Sequence, residues 1–429
     1  MKKGYILLAI LLVLGTFLNF LPHLNYFYPL HVDEWTHFTY SQNLSDGSPL
    51  YFGGENKSLE LGFHVFLAVL KSLTGDYLII FRFLPSLITI LIGLSMFIMV
   101  RKHFNENAAL FSVLFMMMLK SSVALLGPMF LVPMALGLFF IPLSLYLIDS
   151  KLLFLIIAIT ILIHPPSAIA LLIFVNSYLV SAWFFEKGFS FSLIMQQIIG
   201  IVLASPLYIL VLLSKGVGVL EFKESFTGIL RIFTYFEYLI VLLIMVGFIV
   251  INFRRKYTFV LYSTFLLSLS AVYYHFNINI LIFYERNLMF LFQSFAIPFG
   301  VSLSYISSRF KENKTPLVIL SIIFLLIILM PQKIESTKPV YHIINEKEYN
   351  EFLKYREIEG KKAVLDPWKA IAFSPIAKKE IYSRIPPGPN IIYSARNKEI
   401  EIFFNQSCSN KTFLKDNEID IVIGCPSLS

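Results

Sequence analysis

The stretch YLIIFRFLPSLITILIGLSMFIMVRKHFNENAALFSVLFMM, residues 77–117, decides the fold. A long apolar run ends in Arg101 and Lys102, and a second apolar run begins a few residues later. Roughly 20 apolar residues in a helix cross a bilayer core of about 30 Å. Short basic loops between such runs stay on the cytoplasmic side. The same alternation fills the chain in both directions. Of its 429 residues 57% are apolar and only 14% are charged, where soluble domains carry about 25% charged residues. The runs are long and unbroken, which argues for helices and against a barrel of short alternating strands. The net charge of +8 is not a nucleic-acid signal. Much of it sits in short loops such as RK (101–102), RRK (254–256) and RFKENK (309–314).

Candidate spans run over residues 5–22, 79–100, 108–126, 128–148, 151–164, 167–185, 190–213, 237–253, 257–276, 288–308 and 315–331, about eleven in all. The first follows Lys2 and Lys3 and lacks a small-residue cleavage site, so it reads as a retained helix rather than a signal peptide. With the N-terminus inside, strict alternation puts every basic loop inside as well. LELGFHVFLAVLKSL (59–73) would break that agreement if it crossed. It spans roughly 22 Å as a helix, short for a crossing, and reads as an interfacial helix of the first external loop. HPPS (164–167) interrupts another run. Proline frees backbone groups that need protein or water beside them. This gives either a hairpin tip, with His164 and Ser167 in a recessed outer cavity, or a proline-kinked helix with a satisfied histidine.

After Pro331 the composition changes abruptly. EKEYNEFLKYREIEG (346–360) has the spacing of an amphipathic helix. KAVLD, EIYS, NIIYSA, EIEIFF and DIVIG read as short strands, with Pro386, Pro387, Gly388 and Pro389 in a loop between them. The expected architecture is an all-α polytopic membrane protein with a small C-terminal α/β extracytoplasmic domain. The membrane domain would be 1–331, including the first external loop 23–78, and the soluble domain 332–429. Both cysteines of the chain, Cys408 and Cys425, lie in the tail, where an external disulfide could persist. Sequons at Asn43, Asn56, Asn405 and Asn410 fall in external segments, whereas that at Asn313 falls in an inside loop.

Directly after the first span comes YPLHVDEWTHFTY (28–40), with Asp33 and Glu34 between His31 and His37. A carboxylate at the membrane surface can be a general base, a metal ligand with His31, His37 or Glu34, or a solvated loop charge. Partial desolvation beside apolar rings would raise its pKa toward a range useful for a base. A basic group for an anionic substrate is offered by FYERNLMF (283–290): Arg286 can fork to a phosphate, and Tyr284 can donate to it, at the start of a span. Arg286 can equally snorkel or pair with Glu285. His275 and Lys120, at outer helix ends, are secondary candidates.

The order of these features resembles the GT-C superfamily of membrane glycosyltransferases, especially prokaryotic and archaeal members. It is similar to the group of dolichyl-phosphate-mannose protein mannosyltransferases and aminoarabinose transferases. The matching positions are Asp33–Glu34, Gly47 to Tyr51, the interfacial helix 59–73, Arg82 with Pro85–Ser86, Arg101–Lys102 and Asn107–Ala109. The resemblance covers roughly the first 150 residues. KSLELGF stands where many members carry a proline pair before the interfacial helix, so the acceptor class is not specified.

The resemblance implies inverting transfer of a sugar from a polyprenyl-phosphate donor to a lipid, glycan or protein acceptor on the external side, with membrane lipid as the other partner. It implies Asp33 as catalytic acid residue with Glu34 assisting or binding substrate; such a donor needs cations near its phosphate, for which Arg286 with Tyr284, then His275 and Lys120, are the candidates. His37, His164 and Tyr51 would line the substrate, and a divalent metal at Asp33 and His31 is the cofactor option. A lipid-linked sugar flippase would show internal repeats and mid-span charges, and no clear repeat is visible. An envelope polysaccharide polymerase or ligase would rely on a large central loop. A nonenzymatic scaffold would leave Asp33 without a role.

Overall fold

A computed structural model describes residues 2–47, 59–123, 125–185, 188, 190–215, 237–276, 278–309, 314–385 and 394–425. They form two compact units. One comprises Met1–Pro22, Leu50–Phe66 and Phe83–Pro339; the other comprises His23–Pro49, Leu67–Arg82 and Val340–Ser429.

The first, apolar unit holds α1 (Lys2–Phe20), α5 (Glu106–Met117), α6 (Pro133–Tyr146), α7 (Leu153–Ile163), α8 (Pro165–Phe185), α9 (Phe191–Lys215), α10 (Tyr238–Phe253), α11 (Tyr257–Phe276), α12 (Tyr284–Ser308) and α13 (Lys314–Ser336). It also takes the start of α3 (Leu61–Thr74) and most of α4 (Tyr77–His103). Each of the eleven apolar runs thus forms a helix. Seven of them are long and apolar enough to cross a membrane, which fits a multi-pass membrane protein; α5, α6, α7 and α10 are shorter apolar helices. The run expected to continue to residue 126 stops as helix at Met117, and an irregular segment leads to Pro133.

Buried α12 is the centre of this unit. Backbones meet closely where side chains are small, as membrane helices do to maximise packing. A Cβ on Gly300 would lie 2.2 Å from Ser112 Oγ on α5, and one on Gly247 of α10 would lie 1.8 Å from the Pro298 carbonyl oxygen.

The second unit is built on a parallel sheet of order β2-β1-β3, from β1 (Lys362–Val364), β2 (Glu380–Ile381) and β3 (Ile421–Val422). Ala363 pairs with both Ile381 and Ile421. Around it lie α14 (Glu346–Lys354), α15 (Pro367–Ala377), α16 (Ala395–Asn405) and α17 (Lys411–Asp416). Val364, Tyr382, Ile400, Phe403 and Ile419 form the core. EIEIFF, expected as a strand, is part of α16. Its alternation is incidental, because Ile400 and Phe403 are buried at helical spacing and the Ser394 hydroxyl accepts from Asn397 N–H at the cap. Cys408 and Cys425 are joined by a disulfide.

The same unit includes α2 (Val32–Ser45), which packs on α15. The acidic stretch is therefore the start of a helix rather than an open loop.

Candidate active site

His31 is the N-cap residue of α2, with extended backbone at φ −139° and ψ 153°. Its Nδ1 accepts the Asp33 N–H at 3.1 Å. One oxygen of Glu34, Oε2, reaches back and accepts from Leu30 N–H at 2.6 Å and His31 N–H at 3.0 Å. This reciprocal arrangement is a capping box with histidine in the place usually taken by serine or threonine. Glu34 is completely buried, and its carboxylate holds the helix start. Asp33 keeps 16% of its side chain exposed, with Oδ1 3.7 Å from His31 Nδ1. His37, one turn further on, shares the Asp33 face of α2 and is buried.

Aromatic residues of the tail wall this site within the same unit. Tyr341 donates its backbone N–H to Leu30 O at 3.0 Å, and its ring centre lies 5.4 Å from that of His31. Trp368 follows at 5.5 Å from Tyr341. Burial, and then the Asp33 charge, push the Tyr341 hydroxyl above its ordinary pKa. Arg384 reaches Tyr40, on α2, at 3.5 Å. The arrangement can present one partly desolvated carboxylate, carried on a rigid helix, to a proton-bearing group.

A metal at Asp33 and His31 fits poorly. The Nδ1 lone pair is taken by the cap, and among the described residues no third donor joins these two closely enough to share an ion. The apolar unit offers a better donor set, which the sequence reading did not find. Glu60 and His64, one helical turn apart, bring ligand atoms within 4.8 Å of each other. His164 Nε2 lies 3.7 Å from Glu60 Oε1. The opposite nitrogen of His164 contacts Ser167 Oγ at 2.6 Å. His164 and Ser167 are buried, so the tip at residues 164–167 is a closed polar cluster rather than an open cavity.

Arg286 occupies the first turn of α12, where no side chain of the preceding residue caps the helix. Its guanidinium lies 5.6 Å over the Phe283 ring, and among the described residues no carboxylate forms an ion pair with it, Glu285 included. Tyr284 is buried and its ring stacks on Tyr273 at 4.6 Å. His275 is exposed beside Tyr274. Lys120 lines a separate apolar cleft with Phe115, Leu119, Phe292 and Gln332. Lys333, which sequence reasoning missed, is wholly buried close by and donates to Leu119 O at 2.7 Å. Its signal was visible as the first charge after the last apolar run. Tyr51 lies outside the described residues. The structure thus groups His31, Asp33, Glu34 and His37 on α2, and His275, Tyr284 and Arg286 around the α11–α12 turn; the two groups belong to different units.

No family model matches this sequence, and no curated protein matches it. Solved structures do share its fold. The oligosaccharyltransferase of Archaeoglobus fulgidus, crystallised in complex with Zn and sulfate, superposes with a TM-score of 0.61 at 10% identity, covering 96% of this chain and 66% of that one. Its apo form gives 0.61 at 10% identity, over 98% and 69%. The same archaeal enzyme, AglB, in complex with an inhibitory peptide and a dolichol-phosphate, gives 0.60 at 10% identity, over 98% and 69%. The chain spans about two thirds of the length of these proteins, and at this identity the likeness is one of fold.

Proposed function

We propose that this chain is an inverting glycosyltransferase that moves a sugar from a polyprenyl-phosphate donor to an acceptor on the external side of the membrane. The observation that carries the reading is Asp33. It is a partly exposed carboxylate fixed at a helix start, next to a glutamate whose own carboxylate is consumed by the cap. The shared fold with a protein solved in complex with a dolichol-phosphate supports a lipid-linked donor.

In this reading the Asp33 carboxylate takes the proton of the acceptor nucleophile as that atom bonds to the anomeric carbon. The bond from that carbon to the phosphate oxygen breaks, and the polyprenyl phosphate leaves with the electron pair. One displacement inverts the centre. Arg286 of the apolar unit, without an ion-pair partner among the described residues, is the cation proposed for a lipid phosphate. Lys120 is a further candidate cation for the lipid phosphate. No step here runs through a metal. If an ion is held, Glu60 and His64 are side chains that would help hold it, and it would supply charge there. The N-terminus would be cytoplasmic, residues 1–331 the membrane domain and 332–429 external.

The test is transfer by purified protein from a panel of polyprenyl-phosphate sugars. Asp33→Asn should lower the rate by about 10²–10⁴ while the protein stays folded. Equal transfer by both proteins removes Asp33 from the chemistry. Movement of intact lipid-linked sugar without a new glycosidic bond would make the chain a flippase.

A further inference from the structure

In a parallel sheet of order β2-β1-β3 the connections diverge at one place. From β1 the chain passes through α15 to β2 on one side; from β2 it passes through α16 and α17 to β3 on the other. The segments leaving the carboxyl ends of β1 and β3 therefore part, and such a switch point is where open α/β sheets hold ligands. A cavity of about 660 Å³ lies at this point. Asp366 and Pro367, leaving β1, form one wall, and Ile423 and Gly424, leaving β3, form another. A face of α16 closes the third side. The Cys408–Cys425 disulfide ties the segment after α16 to the segment after β3, which fixes two of the walls.

A second observation points to a ligand. Asn397 of α16 lines the cavity and is 1% exposed. Its Oδ1 accepts from Ser383 Oγ at 2.5 Å, whereas among the described residues its Nδ2 has no hydrogen-bond partner. Leaving a buried donor unmade costs about 1–3 kcal/mol, so orphaned donors beside cavities call for an acceptor.

The lining excludes a phosphate. Asp366 already accepts the Trp368 and Lys369 N–H groups at the start of α15, and Pro367 removes another donor there. The lining carries two carboxylates, of Asp366 and Glu401, against the single ammonium of Lys398. What remains is a set of acceptors, the amides of Asn397 and Asn405, and the apolar surfaces of Pro367, Ile400 and Phe404. We propose that this cavity binds a neutral oligosaccharide. Asn397 Nδ2 donates to a sugar oxygen, the Asp366 and Glu401 carboxylates accept from hydroxyls, and the C–H face of the ring rests on Phe404 and Pro367. The inference stands whether or not Asp33 catalyses transfer, because no residue of α2 lines this cavity.

Full-length protein in lipid nanodiscs would be titrated with mannobiose, chitobiose and cellobiose, with saturation-transfer NMR as readout. At least one disaccharide should bind. Glu401→Gln, at an exposed position, should weaken it about tenfold and leave the thermal midpoint unchanged. Asn397→Asp, which keeps the acceptor for Ser383 and removes the donor, should weaken it as much. Three results would overturn the proposal: no binding of any disaccharide, binding that neither substitution weakens, or displacement of the bound sugar by inorganic phosphate.

Discussion

The adjacent acids at the start of α2 should respond in opposite ways to substitution. Glu34 Oε2 accepts from two backbone donors, Leu30 N–H and His31 N–H, and both residues are almost fully buried. In Glu34→Ala both donors lose their acceptor. A hydrogen bond to a charged group contributes about 1.5–3 kcal/mol, and an orphaned buried donor costs a similar amount. The two losses occur in one cap and do not add fully, which leaves about 2–4 kcal/mol. Glu34→Gln is milder. Both of these bonds run to one oxygen, and the amide oxygen of glutamine can accept both, so the cap keeps its two bonds and loses their charge assistance, about 1 kcal/mol. Thermal unfolding in detergent should rank wild type, Glu34→Gln and Glu34→Ala in falling order, with Glu34→Gln retaining most of the transfer activity. Asp33→Asn should do the reverse, with little change in stability and a large loss of rate. A Glu34→Gln protein that unfolds like wild type yet is as inactive as Asp33→Asn would refute the cap assignment, because the charge of Glu34 would then be needed in the reaction.

Gly247→Ala should destabilise the apolar unit by about 1–3 kcal/mol, because its new methyl group meets the Pro298 carbonyl oxygen, whereas Gly188→Ala, with open space around it, should be neutral in the same melt. Breaking the Cys408–Cys425 bond, which closes a loop of 17 residues, should cost about 3 kcal/mol and show as a lower melting point under reducing conditions. Acid should also loosen the second unit. Burial works to raise the Asp46 and Glu348 carboxyls, but the hydrogen bonds from Lys378 and Gln42, and from Lys369 and Asn345 N–H, outweigh it and hold both below the usual carboxylate range. Their contribution is therefore complete above the unfolded carboxylate pKa of about 4 and disappears as pH falls through the lower folded values. Partial exposure limits it to about 0–1 kcal/mol each, and Asp46→Asn with Glu348→Gln should flatten the acid limb of a melting-point profile.

The amino-acid order alone determined the apolar helices, because a bilayer core selects on the length and polarity of local runs. Each of the eleven apolar runs became a helix, and 59–73 became α3. Its change of composition after Pro331 marked the start of the tail, where KAVLD, EIYS and DIVIG did form strands. The helix over Val32–Ser45 escaped notice because histidine is an uncommon cap and the stretch has no clear apolar stripe. Only the tertiary structure decided which carboxylate stays exposed, since that depends on Glu34 folding back on two backbone donors and on Tyr341 arriving from three hundred residues away. The same holds for Asn397 and its cavity, and for Lys333 on Leu119. Each is defined by a partner distant in sequence, and no local periodicity records such a meeting.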